Sequence, residues 1–320
     1  SRESRSMFVG HALLAFALVG GAAALLADRR TALRLGVVAA AFAAVPDVDM
    51  AYALVGLVGA DGGVMGTVQS FWAASTAVHR TITHSLLVAP VAAALAAAWL
   101  HGRRDSARPW LGVATLLGAG LTAVAAAVSG ALGGAVMAVF VIAAVLVAEG
   151  VERTTTFGAR ATFAVGLVGL LSHPFGDLAT GEPPAFLYPL SAPLVTERVA
   201  LSADPTLHLL GAFGVELAAI WAGLLVAMWL LERPIREAID FRAVAGAGYA
   251  LAALAIPAPT LEFSYPFVFS VLSVGMIGAV PRVRLPDIEI ERPDAVGAAL
   301  TGLAAVTLAG AAYAVAYVAL

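Results

Sequence analysis

The sequence predicts an all-α fold, a polytopic transmembrane helix bundle, and three observations predict it. Of 320 residues, 61% are hydrophobic and 12% are charged, where an ordinary soluble domain is about 25% charged. Mean hydropathy is +0.93. Hydrophobic runs of about 15 to 25 residues recur along the whole chain, each long enough to cross or nearly cross a hydrocarbon core of about 30 Å. The runs are rich in Ala, Leu, Val and Gly and lack strict alternation, so helices rather than barrel strands are the spanning element.

Residues 1–6 are polar and read as a tag remnant or loose tail before Met7. About ten spans follow, at about 7–27, 32–47, 84–100, 109–128, 131–149, 161–178, 208–231, 243–257, 266–280 and 294–320. The eighth and ninth are short. Between the second and third, the stretch 50–78 holds a moderately apolar piece, Met50 to Val58, and an amphipathic piece, Val64 to Val78. A re-entrant or surface helix is expected there. Residues 7–190 read as the membrane domain that carries the chemistry, 191–207 as an outer loop and 208–320 as a C-terminal helical extension.

Arginine sets the expected orientation. All 18 basic residues are Arg, and 14 of them fall in loops that alternate correctly with ten spans. These are Arg29, Arg30 and Arg34; Arg103, Arg104 and Arg108; Arg153 and Arg160; Arg233, Arg236 and Arg242; and Arg282, Arg284 and Arg292. The other side holds Arg2, Arg5, Arg80 and Arg198. Positive loops stay in the cytoplasm, which places both termini outside a multi-pass protein of the cell membrane. The absence of Cys excludes disulfides, thiolate metal sites and cysteine nucleophiles. A net charge of -3 argues against a nucleic-acid partner. The expected partner is the lipid bilayer, with a lipid-like substrate.

Ionisable groups at membrane depth cost roughly 3 kcal/mol each on insertion scales, so each is a functional candidate. They are His11, Asp47, Asp49, His79, His84, His173 and Asp177. His11 opens the first span, Asp47 and Asp49 close the second, His79 and His84 precede or open the third, and His173 and Asp177 close the sixth. The topology therefore gathers all seven at the face opposite the Arg-rich loops. Imidazole and carboxylate together suit a divalent metal, zinc first, with manganese or iron as alternatives. His173 and Asp177, four apart, share a helical face. Pro174 between them disfavours helical geometry at His173, so a break and restart is expected there. Asp47 and Asp49 follow Pro46, where an extended segment would aim them differently, one to ligate and one to orient a His or activate water. His79 and His84 would stand about 140° apart on a continuous helix. His79 is therefore expected on the loop and His84 in the first turn, with Thr81, Thr83 or Ser85 capping.

Pro-Asp-Val-Asp (46–49), His-Arg-Thr-Ile-Thr-His-Ser (79–85) and His-Pro-Phe-Gly-Asp-Leu-Ala-Thr-Gly (173–181) resemble the three signature segments of the YdjM/YbcI-type membrane-bound metal-dependent hydrolases. Val-Gly-His-Ala-Leu-Leu (9–14) and Tyr188-Pro189-Leu190 resemble flanking segments of that family. The resemblance covers about residues 7 to 190 and implies a helical membrane protein assigned as a metal-dependent hydrolase.

The resulting expectation is a membrane-embedded hydrolase at the outer interface, acting on a lipid or lipid-linked ester. His11, Asp47, His79, His84, His173 and Asp177 would hold one or two metals, and Asp49 would be general base or orienter. Arg80 would either meet a substrate anion or form a salt bridge to Asp47 or Asp49. His208 with Asp204 reads as a capping pair, with an extra ligand as the alternative. Glu216, inside the seventh span, keeps open an alternative cation- or proton-coupled transporter; a non-catalytic metal-binding scaffold is the other alternative.

Overall fold

The computed structural model describes residues 8–50, 63, 66, 80–104, 107–179, 183–284, 289–291 and 293–320. The expected helix at 50–78 and His79 lie outside the described residues, Met50, Gly63 and Gly66 excepted. Helix dominates. Among the described residues, the paired strands form one antiparallel hairpin, β1 (Arg282–Arg284) against β2 (Glu289–Glu291).

The chain forms two compact units. The first comprises 1–199 and 219–230, the second 200–218 and 231–320. The first contains α1 (Phe8–Ala23), α2 (Arg29–Ala43), α3 (Val88–Arg104), α4 (Pro109–Thr154) and α5 (Ala159–Gly176). Local chemistry starts these helices where the sequence allows. Asp28 caps α2, its carboxylate accepting from Thr31 N at 3.0 Å and Thr31 Oγ1 at 2.6 Å. The Thr31 bonds hold the Asp28 carboxyl below the usual carboxylate range. Ser85 Oγ accepts from Leu87 N at 3.0 Å and Val88 N at 3.3 Å ahead of α3, so Ser85 is the expected cap. Pro109 starts α4 where a missing N–H costs nothing.

α4 is two helices. Gly130 breaks it at φ 71°, ψ −171°, a region open to glycine alone. A Cβ on Gly118 would lie 2.8 Å from Val141 Cγ1, although these residues would stand about 34 Å apart on a straight helix. The chain therefore doubles back at Gly130, which gives the fourth and fifth expected spans separate arms. At the far end, Arg104 binds the carbonyls of Val151 (3.2 Å) and Glu152 (3.0 Å) as well as those of Thr155 and Phe157. It thereby satisfies carbonyls that a helix end leaves open. Glu149 gathers Trp99 Nε1, Arg103 and Arg153 beside it.

The second unit contains 205–218 of α6 (Pro205–Leu230), α7 (Ile235–Ala238), a 3₁₀ helix Phe241–Leu251 continuing into α8 (Ala252–Ala255), α9 (Tyr265–Val274) continuing as 3₁₀ helix Gly275–Ala279, the hairpin, and α10 (Ala295–Ala319). Its core is Leu209, Leu210, Leu217, Phe267, Val271, Val306 and Tyr313. Asp204 is a cap, accepting from Leu207 N at 2.8 Å, while the His208 ring accepts from Leu201 N at 3.1 Å through Nδ1.

Among the described residues, five helical segments can cross a membrane by length and composition: Arg29–Met50, Pro109–Thr154, Ala159–Ala179, Pro205–Leu230 and Ala295–Ala319. Val9–Ala23, Phe241–Ala255 and Tyr265–Ala279 are apolar but shorter.

Candidate metal centre

Four segments of the first unit bring the predicted residues to one buried place. His11 comes from the first turn of α1, Asp47 and Asp49 from the turn after α2, Arg80 and His84 from the turns before α3, and His173 and Asp177 from the end of α5. All seven are buried.

α5 passes so close to α2 that a side chain at Gly169 would stand 2.5 Å from Ala39 O. That approach brings His173 Nδ1 within 2.6 Å of Ala43 O. The Ala43 carbonyl sits in the last turn of α2, where carbonyls lack intrahelical donors. A carbonyl only accepts, so Nδ1 carries the proton, and Nε2 of the neutral ring keeps its lone pair. His84 reaches the same state by another route. Thr83 Oγ1 donates to Asp49 Oδ2 at 2.7 Å. Its one proton being committed, it accepts from His84 Nδ1 at 2.9 Å. The lone pair of His84 again lies on Nε2.

The two Nε2 atoms face each other at 3.0 Å. His84 Nε2 is 3.2 Å from Asp177 Oδ2, and His173 Nε2 is 3.4 Å from Asp47 Oδ1 and 3.9 Å from Asp177 Oδ2. Neither oxygen of Asp47 has a hydrogen-bond donor among the described residues. Lone pairs and carboxylates so placed repel unless a cation lies among them. Ligands at about 2.0–2.1 Å in tetrahedral array stand about 3.3 Å from one another, close to three of these four distances, the His173–Asp177 pair being longer. The residues present therefore fit a divalent metal.

His11 lies at the edge of this set. Its Nε2 is 3.4 Å from Asp177 Oδ1, and its ring centroid is 4.0 Å from that of His173. The ring rests on Gly176, where a Cβ would lie 2.3 Å from His11 Cε1. This explains a glycine inside the last motif.

Several expectations need correction. α5 runs unbroken through Pro174 to Gly176, with His173 and Asp177 on one face. Proline there removes one hydrogen bond from a helix that ends within three residues. Residues 46–50 form a 3₁₀ turn rather than an extended segment. Three residues per turn still separates positions two apart by about 120°, so Asp47 faces His173 while Asp49 faces Thr83. Arg80 pairs with Asp177, Nη2 to Oδ1 at 3.0 Å and Nη1 to the carbonyl at 3.3 Å, rather than with Asp47 or Asp49. His84 precedes α3 instead of lying in its first turn, because Ser85 caps the helix behind it.

Sequence reasoning also missed three contributors: Thr83, read as a capping candidate; the Ala43 carbonyl; and Gly176 as the seat of His11. Thr83 had a signal, since it stands between Arg80 and His84 in the motif. The Ala43 carbonyl has none, because any residue would supply it.

Fold and site together define a helical membrane protein with a buried His–Asp cluster suited to a divalent ion. The chain belongs to the family described as YdjM inner membrane protein, which it matches over residues 7–238. That bears out the resemblance of its motifs and agrees with a membrane location, and the whole cluster lies inside the match. No curated protein and no solved structure matches the chain.

Proposed function

We propose that the protein is a membrane-embedded, metal-dependent hydrolase whose centre lies at the outer membrane interface and acts on a lipid or lipid-linked ester. The observation that carries this reading is the convergence of two imidazole Nε2 atoms and two carboxylates at ligand spacing. When bound, a divalent ion, zinc in the first instance, lowers the pKa of water and polarises the scissile group. The chain supplies the remainder. Asp47, His84, His173 and Asp177 hold the ion. Ala43 and the Thr83–Asp49 pair fix the two imidazoles in the ligating tautomer. Arg80 provides a fixed positive charge where anionic charge would develop.

Two features support the location and the substrate class. In α2, α3 and α5 the arginines sit at the ends opposite the cluster, the pattern of an outward-facing site. Phe175, beside Asp177, and Leu190, Leu194 and Val199 in the following loop are exposed apolar side chains. Val199 N donates to Leu178 O at 2.8 Å, which holds that loop to the rim of the cluster. An apolar rim suits an acyl chain.

The reading includes ten crossings. Each arm of α4 is long enough at about 1.5 Å per residue. The 3₁₀ rise of about 2.0 Å per residue lengthens Phe241–Ala255 and Tyr265–Ala279 to about 28 and 25 Å.

The test is elemental analysis of protein purified without chelator, joined to a hydrolysis screen over headgroup-labelled phospholipids and lipid-linked esters. Turnover should disappear on chelation and return with Zn²⁺. Absence of bound ion in both purified and reconstituted protein would end the reading.

A further inference from the structure

The cluster buries three carboxylates, Asp47, Asp49 and Asp177, and one guanidinium, Arg80. Among the described residues of the cluster, the carboxylates outnumber the guanidinium by two. Buried charge without compensation is strongly unfavourable. One divalent ion cancels the excess; two would leave an equal positive one.

The donor atoms point the same way. Among the described residues they form two overlapping groups, Asp47–His84–His173 and His11–His173–Asp177. Taken separately these would be two ion sites. Both require His173, however, and its Nδ1 is committed to Ala43 O, so a single lone pair on Nε2 is left for ligation. One lone pair serves one ion, so among the described residues a second ion could draw only on His11 Nε2 and Asp177 Oδ1. Asp47 Oδ1, His84 Nε2 and Asp177 Oδ2 gather around the His173 lone pair.

Asp177 Oδ1 and His11 Nε2 remain on the other side, 3.4 Å apart. There the Arg80 guanidinium sits, 3.0 Å from Oδ1. Its position is built into the fold. Arg80 holds φ 64°, a conformation that non-glycine residues rarely adopt, and its carbonyl is fixed by Ala185 N at 3.0 Å. Two-metal hydrolytic centres place a pair of cations about 3.5–4 Å apart around the reacting group. Asp177 here offers one oxygen to the ion position and the other to Arg80.

Building on the metal-dependent reading above, we propose that the centre holds one divalent ion and that the Arg80 guanidinium occupies the place of a second. Asp177 would serve both, with Oδ1 on Arg80 and Oδ2 toward the ion. His11 is then a partner of Asp177 and becomes a ligand only when Arg80 is removed.

The experiment uses the full chain in detergent, stripped with chelator, loaded with Mn²⁺ and desalted. Bound ions are counted by elemental analysis, and paramagnetic resonance reports whether neighbouring Mn²⁺ ions are coupled. Wild type and His11→Gln should each bind one ion with the spectrum of an isolated Mn²⁺. Arg80→Met should bind two, with a coupled spectrum, and Arg80→Met/His11→Gln should return to one. Two ions in the wild type would overturn the inference while leaving the metal reading intact. So would loss of the ion in His11→Gln, or a single ion in folded Arg80→Met. Wild type and His11→Gln need no change at Arg80, so misfolding of the Met variant does not spoil the test. No ion in the wild type defeats the metal reading itself, and this inference with it.

Discussion

Replacing Gly176 with alanine adds one methyl group to the end of α5, and the structure says where it goes. The new Cβ would stand 2.3 Å from His11 Cε1 and 2.4 Å from His11 Nδ1. Carbon atoms in good contact are about 3.5–4.0 Å apart, so the ring must retreat by more than about 1 Å. It has little room to do so. His11 is buried, and its ring packs against His173 at 4.0 Å between centroids. His173 is itself tethered to Ala43 O at 2.6 Å. Overpacking of this kind costs about 1–3 kcal/mol. The gain in helix propensity from Gly to Ala is at most about 1 kcal/mol and less at a terminus, so the clash wins. Displacing groups that orient ligands lowers metal affinity by about 10–100-fold. The assay is a thermal melt in detergent together with competition for Zn²⁺ against a chromophoric chelator. Gly176→Ala should melt lower and bind metal more weakly. Added to His11→Ala, the same change should cost nothing further in stability, because the methyl then occupies the vacated space; that non-additivity is the signature of direct contact. A single variant that melts at or above the wild type and binds metal unchanged would refute the reasoning.

Thr83→Val removes the hydroxyl that links Asp49 to His84; a loss of about 10–100-fold in metal affinity is expected by competition titration, and unchanged affinity would show that the relay does not set the tautomer. Gly130→Ala forces a side chain into a conformation worth about 1–3 kcal/mol of strain, so a lowered melting point is expected, and an unchanged one would count against the sharp reversal within α4. Ala107→Cys and Ala203→Cys, placed singly in a chain without cysteine, report sidedness with an impermeant thiol reagent on intact cells. Labelling at 203 alone is expected, and labelling at 107 alone would place the cluster on the cytoplasmic side. Glu216→Gln should keep both bound metal and hydrolysis; loss of function with metal retained would favour the proton-coupled transporter.

The membrane class, the helical secondary structure and six of the seven described cluster residues' convergence followed from composition, hydropathy and the order of His and Asp along the chain, and Arg80 followed from its place between two histidines. These are local or additive properties: each span is long and apolar by itself, and alternate crossing places alternate ends on one side. The span count was less secure, because length along a helix depends on whether it winds as α or 3₁₀, and Phe241–Leu251 gives no sign of that in its residues. Tertiary packing decided which atom of each group is used. His173 turns its Nε2 inward because α5 crosses α2 at Gly169 and meets the Ala43 carbonyl. Arg80 meets Asp177, 97 positions away in sequence, because the turn before α3 lies against the end of α5. Tautomer, ion-pair partner and metal stoichiometry depend on distances of a few ångströms between segments far apart in the chain, and no pattern of residue types along a single segment encodes those distances.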